Sequence, residues 1–144
     1  MIIAFALTFS MITVSVTFHY WGLCALSRML SDSYDNRHHF FRAVGILHLM
    51  IGIHLMIILS FSLMFWLASD VLKLGTLCSQ KDHVFMDYLY HAAVSYTTLG
   101  LSHVPLGHLK IMTALVSLAG IMLLTWSATF YYTTIGKIQR LNES

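Results

Sequence analysis

Val84 to His108 reads VFMDYLYHAAVSYTTLGLSHVPLGH, a stretch too apolar for an exposed loop and too interrupted for a lipid-facing helix. Its first half, Phe85 to Tyr96, has helical composition. Its second half, from Thr97 through Pro105, gathers Thr, Gly, Ser, His and the chain's single proline, which favours extended or turn-rich backbone. Irregular backbone at membrane depth is tolerated only where protein or a water-filled cavity covers it. The expectation is therefore a re-entrant element, a short helix followed by a loop that enters and leaves on one side. Asp87, in the first turn of that helix, is placed to favour its positive N-terminal end.

On either side of this stretch the chain is hydrocarbon-like. Of 144 residues, 58% are hydrophobic and 10% charged, and mean hydropathy is +0.75, where a soluble domain carries about 25% charged residues. Met1 to Ser27, Ala43 to Ser69 and Ile111 to Gly136 contain no Asp, Glu, Lys or Arg, and each exceeds the roughly 20 residues that cross a bilayer. Three spans are the minimum. The first is a true helix rather than a signal peptide, because no Lys or Arg precedes it and its positive residue, Arg28, follows it.

Arg28 to Arg42 (RMLSDSYDNRHHFFR) is a polar loop with three Arg, and Lys137 and Arg140 follow the last run. Lys73, Lys81 and Lys110 lie on the other face with Asp70, Asp82 and Asp87. The positive-inside rule then puts the N-terminus outside and the loop and C-terminus in the cytoplasm. The expected divisions are a peripheral helix over 1–27, a cytoplasmic loop over 28–42, a core unit over 43–136 and a short cytoplasmic tail over 137–144. The core unit comprises an outer helix 43–69, a short helix 85–97, a loop 98–103 and an inner helix 109–135. Cys24 and Cys78 fall near opposite faces, too far apart for a disulfide within one chain. The net charge of +2 comes from a few residues beside the spans, so nothing suggests a nucleic-acid partner. Catalysis has no foothold: the outer Asp residues do not face one another within a span, and no Ser, His and acid set has the spacing of a triad.

With Ala93 to Pro105 (AVSYTTLGLSHVP) between two spans, the chain resembles the pore-loop potassium channel superfamily, in particular small bacterial channels with one pore loop between an outer and an inner helix. The resemblance covers roughly Ala43 to Arg140. The family pattern is Thr-Thr, an aliphatic residue, Gly, an aromatic, Gly and Asp; here it falls on Thr97, Thr98, Leu99, Gly100, Leu101, Ser102 and His103. The resemblance implies an all-α homotetramer with three transmembrane helices per chain plus a re-entrant pore helix, surrounded by lipid. Cations would shed water into rings of carbonyls and a Thr hydroxyl, with potassium as the permeant ion and no resident cofactor. Thr98, Leu99, Gly100, Leu101 and Ser102 would be the filter and His103 the outer mouth. On the inner helix, Gly120 stands about where the family often has a hinge, and Ser117, Ile121, Leu124 and Ala128 share one face as candidates to line a cavity.

Three filter positions depart from the pattern. Ser102 replaces a glycine that suits positive φ, at a strain of about 1 kcal/mol per subunit. Leu101 replaces a hydrogen-bonding aromatic, which leaves Tyr88, Tyr90 and Tyr96 to brace the loop. His103 replaces an acid, and its imidazole titrates near about pH 6.5. A weakened preference for potassium over sodium is the expectation. Other classes of function stay open. His48, Met50, His54 and Met56 form a His/Met repeat of the kind that binds copper, two His from different helices, such as His19 and His54, could hold haem, and a non-conducting accessory subunit needs neither.

Overall fold

The structure is a computed structural model and describes residues 1–31, 39–77, 84–100 and 104–143. Four α-helices carry the chain: α1 (Ile2–Ser31), α2 (His39–Trp66), α3 (Phe85–Thr97) and α4 (Leu109–Glu143). The last turn of α2 widens into a π-helical turn over Leu67–Val71. Among the described residues there is no strand.

Ile2–Arg28, Ala43–Val71 and Leu109–Gly136 are long and apolar enough to cross a membrane, as expected of a multi-pass membrane protein. The helices themselves run past the uncharged segments. α1 continues through Arg28 to Ser31, α2 starts at His39, and α4 reaches Glu143 instead of ending at 135. Charge marks where hydrocarbon ends, whereas a helix stops only where its backbone meets a breaker, and neither RMLS nor KIQRLNE contains a proline or glycine.

α2 runs antiparallel to α1 and α4. The start of α1, the end of α2 and the start of α4 share one end of the bundle, where the Met1 nitrogen lies 3.4 Å from His108 Nε2. α3 also starts at this end and packs between α2 and α4. Its 13 residues extend about 20 Å at 1.5 Å per residue, roughly half the length of a span. Three helices contribute a stripe at helical spacing to one core: Ile57, Phe61, Met64, Phe65 and Ala68 from α2 and its π turn, Tyr88, Ala92 and Tyr96 from α3, and Leu109, Met112, Val116 and Leu123 from α4, and α1 adds Ala4. A smaller cluster of Leu26, Ile46 and Met50 closes the opposite end, which α3 does not reach.

The outer surface is apolar. Ile2, Phe9, Trp21, Leu55 and Met122 are all more than half exposed, an arrangement that suits lipid and would associate in water. Hydroxyls on this surface bond back to their own helix: Thr13 to Phe9 O, Thr17 to Thr13 O, Ser60 to Met56 O, and Thr125, Thr129 and Thr133 each to the carbonyl four residues earlier. A hydroxyl paired in this way enters hydrocarbon without an unsatisfied donor.

Candidate functional site

The site is the tip of α3 and the turn that follows it. At the start of α3 the Val84 N–H donates to Asp87 Oδ2 at 3.1 Å while the Asp87 N–H donates to Val84 O at 2.8 Å. This reciprocal pair closes the first turn and sets a carboxylate on its positive end. Tyr88 OH donates to Asp70 Oδ1 at 2.7 Å, tying α3 to the π turn. One turn deeper, Thr113 Oγ1 donates to Leu109 O, so it accepts from His91 Nε2–H at 3.0 Å. The edge of His91 also meets the Phe65 ring at 4.6 Å between centroids.

At the tip Tyr96 is fully buried. Its carbonyl rests on Gly120 of α4 so closely that any Cβ at position 120 would overlap it. Its hydroxyl bonds His54 Nδ1 of α2 at 2.7 Å. His54 and Gly120 both lie near the middle of their spans, so α3 ends at about half the depth of the bundle.

The helix closes at Thr98. The Thr98 N–H donates to Ser95 O and the Leu99 N–H to Val94 O, both at 3.2 Å, which is the paired ending that usually places glycine at the left-handed position. Here Thr98 occupies it with φ 59° and ψ 26°. A β-branched residue in this region is strained by about 1–3 kcal/mol, and such strain concentrates where function requires it. Thr97 turns its hydroxyl back onto Ala93 O at 2.7 Å. Thr98, Leu99 and Gly100 are exposed, Leu99 by 81%, and Gly100 has φ 93°. Leu101, Ser102 and His103 lie outside the described residues, as does Cys78.

By Leu106 the chain is back at the end where α3 began. The Leu106 N–H donates to Thr76 O and the His108 N–H to Leu74 O, both at 2.9 Å. Gly75 and Gly107 make the approach possible: a side chain on Gly75 would strike the Leu106 carbonyl. Pro105 is buried in this seam.

The other sequence-derived candidates are distributed unevenly. Ile121 and Ala128 are exposed on α4, Ser117 is half-buried, and Leu124 is half-buried against the main core. Gly120 is buried under Tyr96, and α4 runs through it without a break. Of the three tyrosines, Tyr88 and Tyr96 anchor α3, whereas Tyr90 is 61% exposed. The His/Met repeat is split: His48 bonds Val44 O of its own helix at 2.8 Å, and His54 turns inward to Tyr96. His19 and His54 do come together, with ring centroids 5.4 Å apart. Both of their Nε2 atoms meet Ser127 Oγ, at 2.7 and 2.8 Å.

Sequence reasoning paired His19 with His54 but passed over Ser127, which joins them. His19 and Ser127 fall past the middle of two spans read in the same direction, and His54 falls just before the middle of the antiparallel one, so the three sit at similar depths. That coincidence was the only signal in the sequence. Comparison with known protein families, curated proteins and solved structures finds no match to this chain.

Proposed function

We propose that this chain is one subunit of a homotetrameric cation channel, with α3 as its re-entrant pore helix and the segment from Thr98 to Ser102 as its filter. The observation that carries this reading is the course of the chain around α3. It descends from the end where α2 finishes, stops at mid-depth against Gly120 and His54, and is back at the same end by Leu106. Between these points Thr98 and Gly100 adopt positive φ and are exposed on a chain that is otherwise closely packed. Exposed, non-helical backbone at this depth needs a cover other than lipid, and a fourfold ring of identical loops around water supplies one.

The electrostatics point the same way. The C-terminal end of a helix carries about half a negative charge, and α3 directs that end toward mid-depth, where it favours a cation. Ions pass from Thr98 along the carbonyls of Leu99, Gly100 and Leu101 and emerge near His103, driven by their electrochemical gradient. With Leu101, Ser102 and His103 in place of the family's residues, the channel passes potassium with a weakened preference over sodium.

The test is flux through the purified protein in liposomes under opposed potassium and sodium gradients, with Gly100→Asp as the control. Cation flux that the substitution abolishes is the expected result. Absence of flux in any salt from an intact tetramer would overturn the proposal in favour of an accessory subunit. A second expectation concerns acid. Protonating His103 puts up to four positive charges at the mouth, so conductance falls below about pH 6, and His103→Asn removes that fall. A variant that keeps the same acid sensitivity would remove His103 from the mechanism. Because His19 and His54 do meet, a visible absorption spectrum of the purified protein checks the haem reading directly.

A further inference from the structure

Each of the four helices contributes one side chain to an unbroken hydrogen-bonded chain: Tyr96 of α3 to His54 of α2, His54 to Ser127 of α4, and Ser127 to His19 of α1, at 2.7, 2.8 and 2.7 Å. His19 and Tyr96 are fully buried and Ser127 nearly so. We infer that His19 and Ser127 are positioning residues for the filter, and that the first helix braces the tip of α3 through this chain. The inference rests on the channel reading for its consequence, though not for its geometry.

The number of hydrogens makes the chain cooperative. With both imidazoles neutral, Tyr96, His54, Ser127 and His19 carry one exchangeable hydrogen each, and three bonds need one hydrogen apiece. Three arrangements fill every bond, and they differ in where the spare hydrogen rests. In one, Tyr96 donates to His54 Nδ1, His54 Nε2–H to Ser127, and Ser127 to His19 Nε2, which leaves the His19 hydrogen on Nδ1. In another, every donor reverses and the spare hydrogen stays on Tyr96; in the third, His54 Nε2–H and His19 Nε2–H both donate to Ser127, whose own hydrogen is spare. The one combination that breaks a bond has both histidines protonated on Nδ1, because Ser127 would then have to donate twice. His19 Nδ1 has no partner, so the chain ends there, within α1.

A broken bond leaves a polar group unpaired in an apolar interior. Moving any one member thus strains the rest. Tyr96 lies two residues before Thr98, and its carbonyl is wedged on Gly120, so fixing its hydroxyl fixes both ends of a residue in the last turn of α3. On the α1 side, Thr8 bonds Ala4 O of its own helix and Ser15 Oγ has no partner. His19 makes the one side-chain hydrogen bond from α1 to another helix among the described residues. That link gives the first helix a purpose that a peripheral span would otherwise lack.

The experiment uses the full chain reconstituted in lipid, with a spin label on Leu99→Cys, an exposed position beside Thr98, and with 15N-labelled histidine. The expected result is that His19→Ala, Ser127→Ala and the near-isosteric Tyr96→Phe each mobilise the label. His19→Gln, which retains a donor and an acceptor at similar reach, restores it. His48→Ala, on an exposed histidine bonded to its own helix, leaves it unchanged. In the unsubstituted protein, the His19 and His54 resonances show that at least one of the two rings carries its hydrogen on Nε2. In flux, the same three variants lower the potassium-to-sodium permeability ratio while the tetramer persists. A label as immobile in Ser127→Ala and Tyr96→Phe as in the parent overturns the brace, and so does equal mobilisation by His48→Ala or a pair of histidines both protonated on Nδ1. If the parent protein conducts nothing, the channel reading falls, while label mobility and ring protonation still decide the brace.

Discussion

The buried face of α1 and the buried face of α2 are built from opposite materials. α2 presents Ile57, Phe61, Met64 and Phe65 to the core, while α1 presents Ala4, Thr8, Ser15 and His19 and turns Ile3, Phe9, Phe18 and Trp21 outward. In water the second pattern would be inside out. In lipid, burying a large apolar side chain gains little over leaving it among acyl chains, and helices associate through close packing of small residues and through hydrogen bonds. α2 is fastened by volume, since it must wrap α3. α1 is fastened by proximity and by one polar link, from His19 to Ser127.

Variants that remove volume, proximity or polarity separately break that contrast into its parts. The largest effect is expected where two backbones touch. Gly120→Val sets a branched side chain where the Tyr96 carbonyl lies, and because backbone cannot move aside as a side chain tip can, the loss is about 3 kcal/mol, the upper part of the overpacking range. Reversible unfolding in mixed detergent micelles measures it, and a loss below about 1 kcal/mol would mean that α3 does not rest on α4 there. Next comes Phe61→Ala at the centre of the α2 face. Only the cavity contribution survives in a membrane, where the transfer contribution largely cancels, which leaves about 2 kcal/mol. The smallest effect belongs to Ser15→Ala on α1. Ser15 Oγ is buried without a partner, so replacing it by hydrogen is neutral or slightly stabilising. A clear loss at Ser15 would show that its hydroxyl is paired in the membrane.

The π-helical turn separates the two ends of α2 in a related way. Over most of its length α2 meets its neighbours through side chains. Over Leu67–Val71 it widens, which brings Asp70 within 2.7 Å of Tyr88 OH and lets the chain fold back so that Leu74 and Thr76 receive the segment returning from the α3 tip. π-helical turns of this kind recur at functional sites. Here it sets the depth at which α3 starts, and with it the depth of the tip.

The three long helices were legible in the sequence because apolar length alone specifies them, and no neighbouring element is needed to interpret a run of 26 uncharged residues. Their limits were less legible. The sequence reading placed boundaries at charged residues, and the helices pass beyond those boundaries into Ser31 and Glu143. Within the candidate site, Thr98 and Gly100 could be named from the resemblance of the TTLG run to a known filter pattern. The left-handed conformation of Thr98 could not, because the usual marker of that ending is a glycine.

What the sequence determined by itself is therefore the set of spans and the place where regular helix gives way after Thr97. Tertiary structure decided which way each span faces. A helix in water announces its inner face by polar residues on the outer one, but a helix that is apolar all round gives no such clue, so Gly120 under Tyr96, His19 on Ser127 and the inward turn of His54 became visible only once the helices were packed. The rotation of each helix is set by where a carbonyl needs a glycine and where a buried hydrogen needs an acceptor, and both are properties of pairs of helices that no single segment contains.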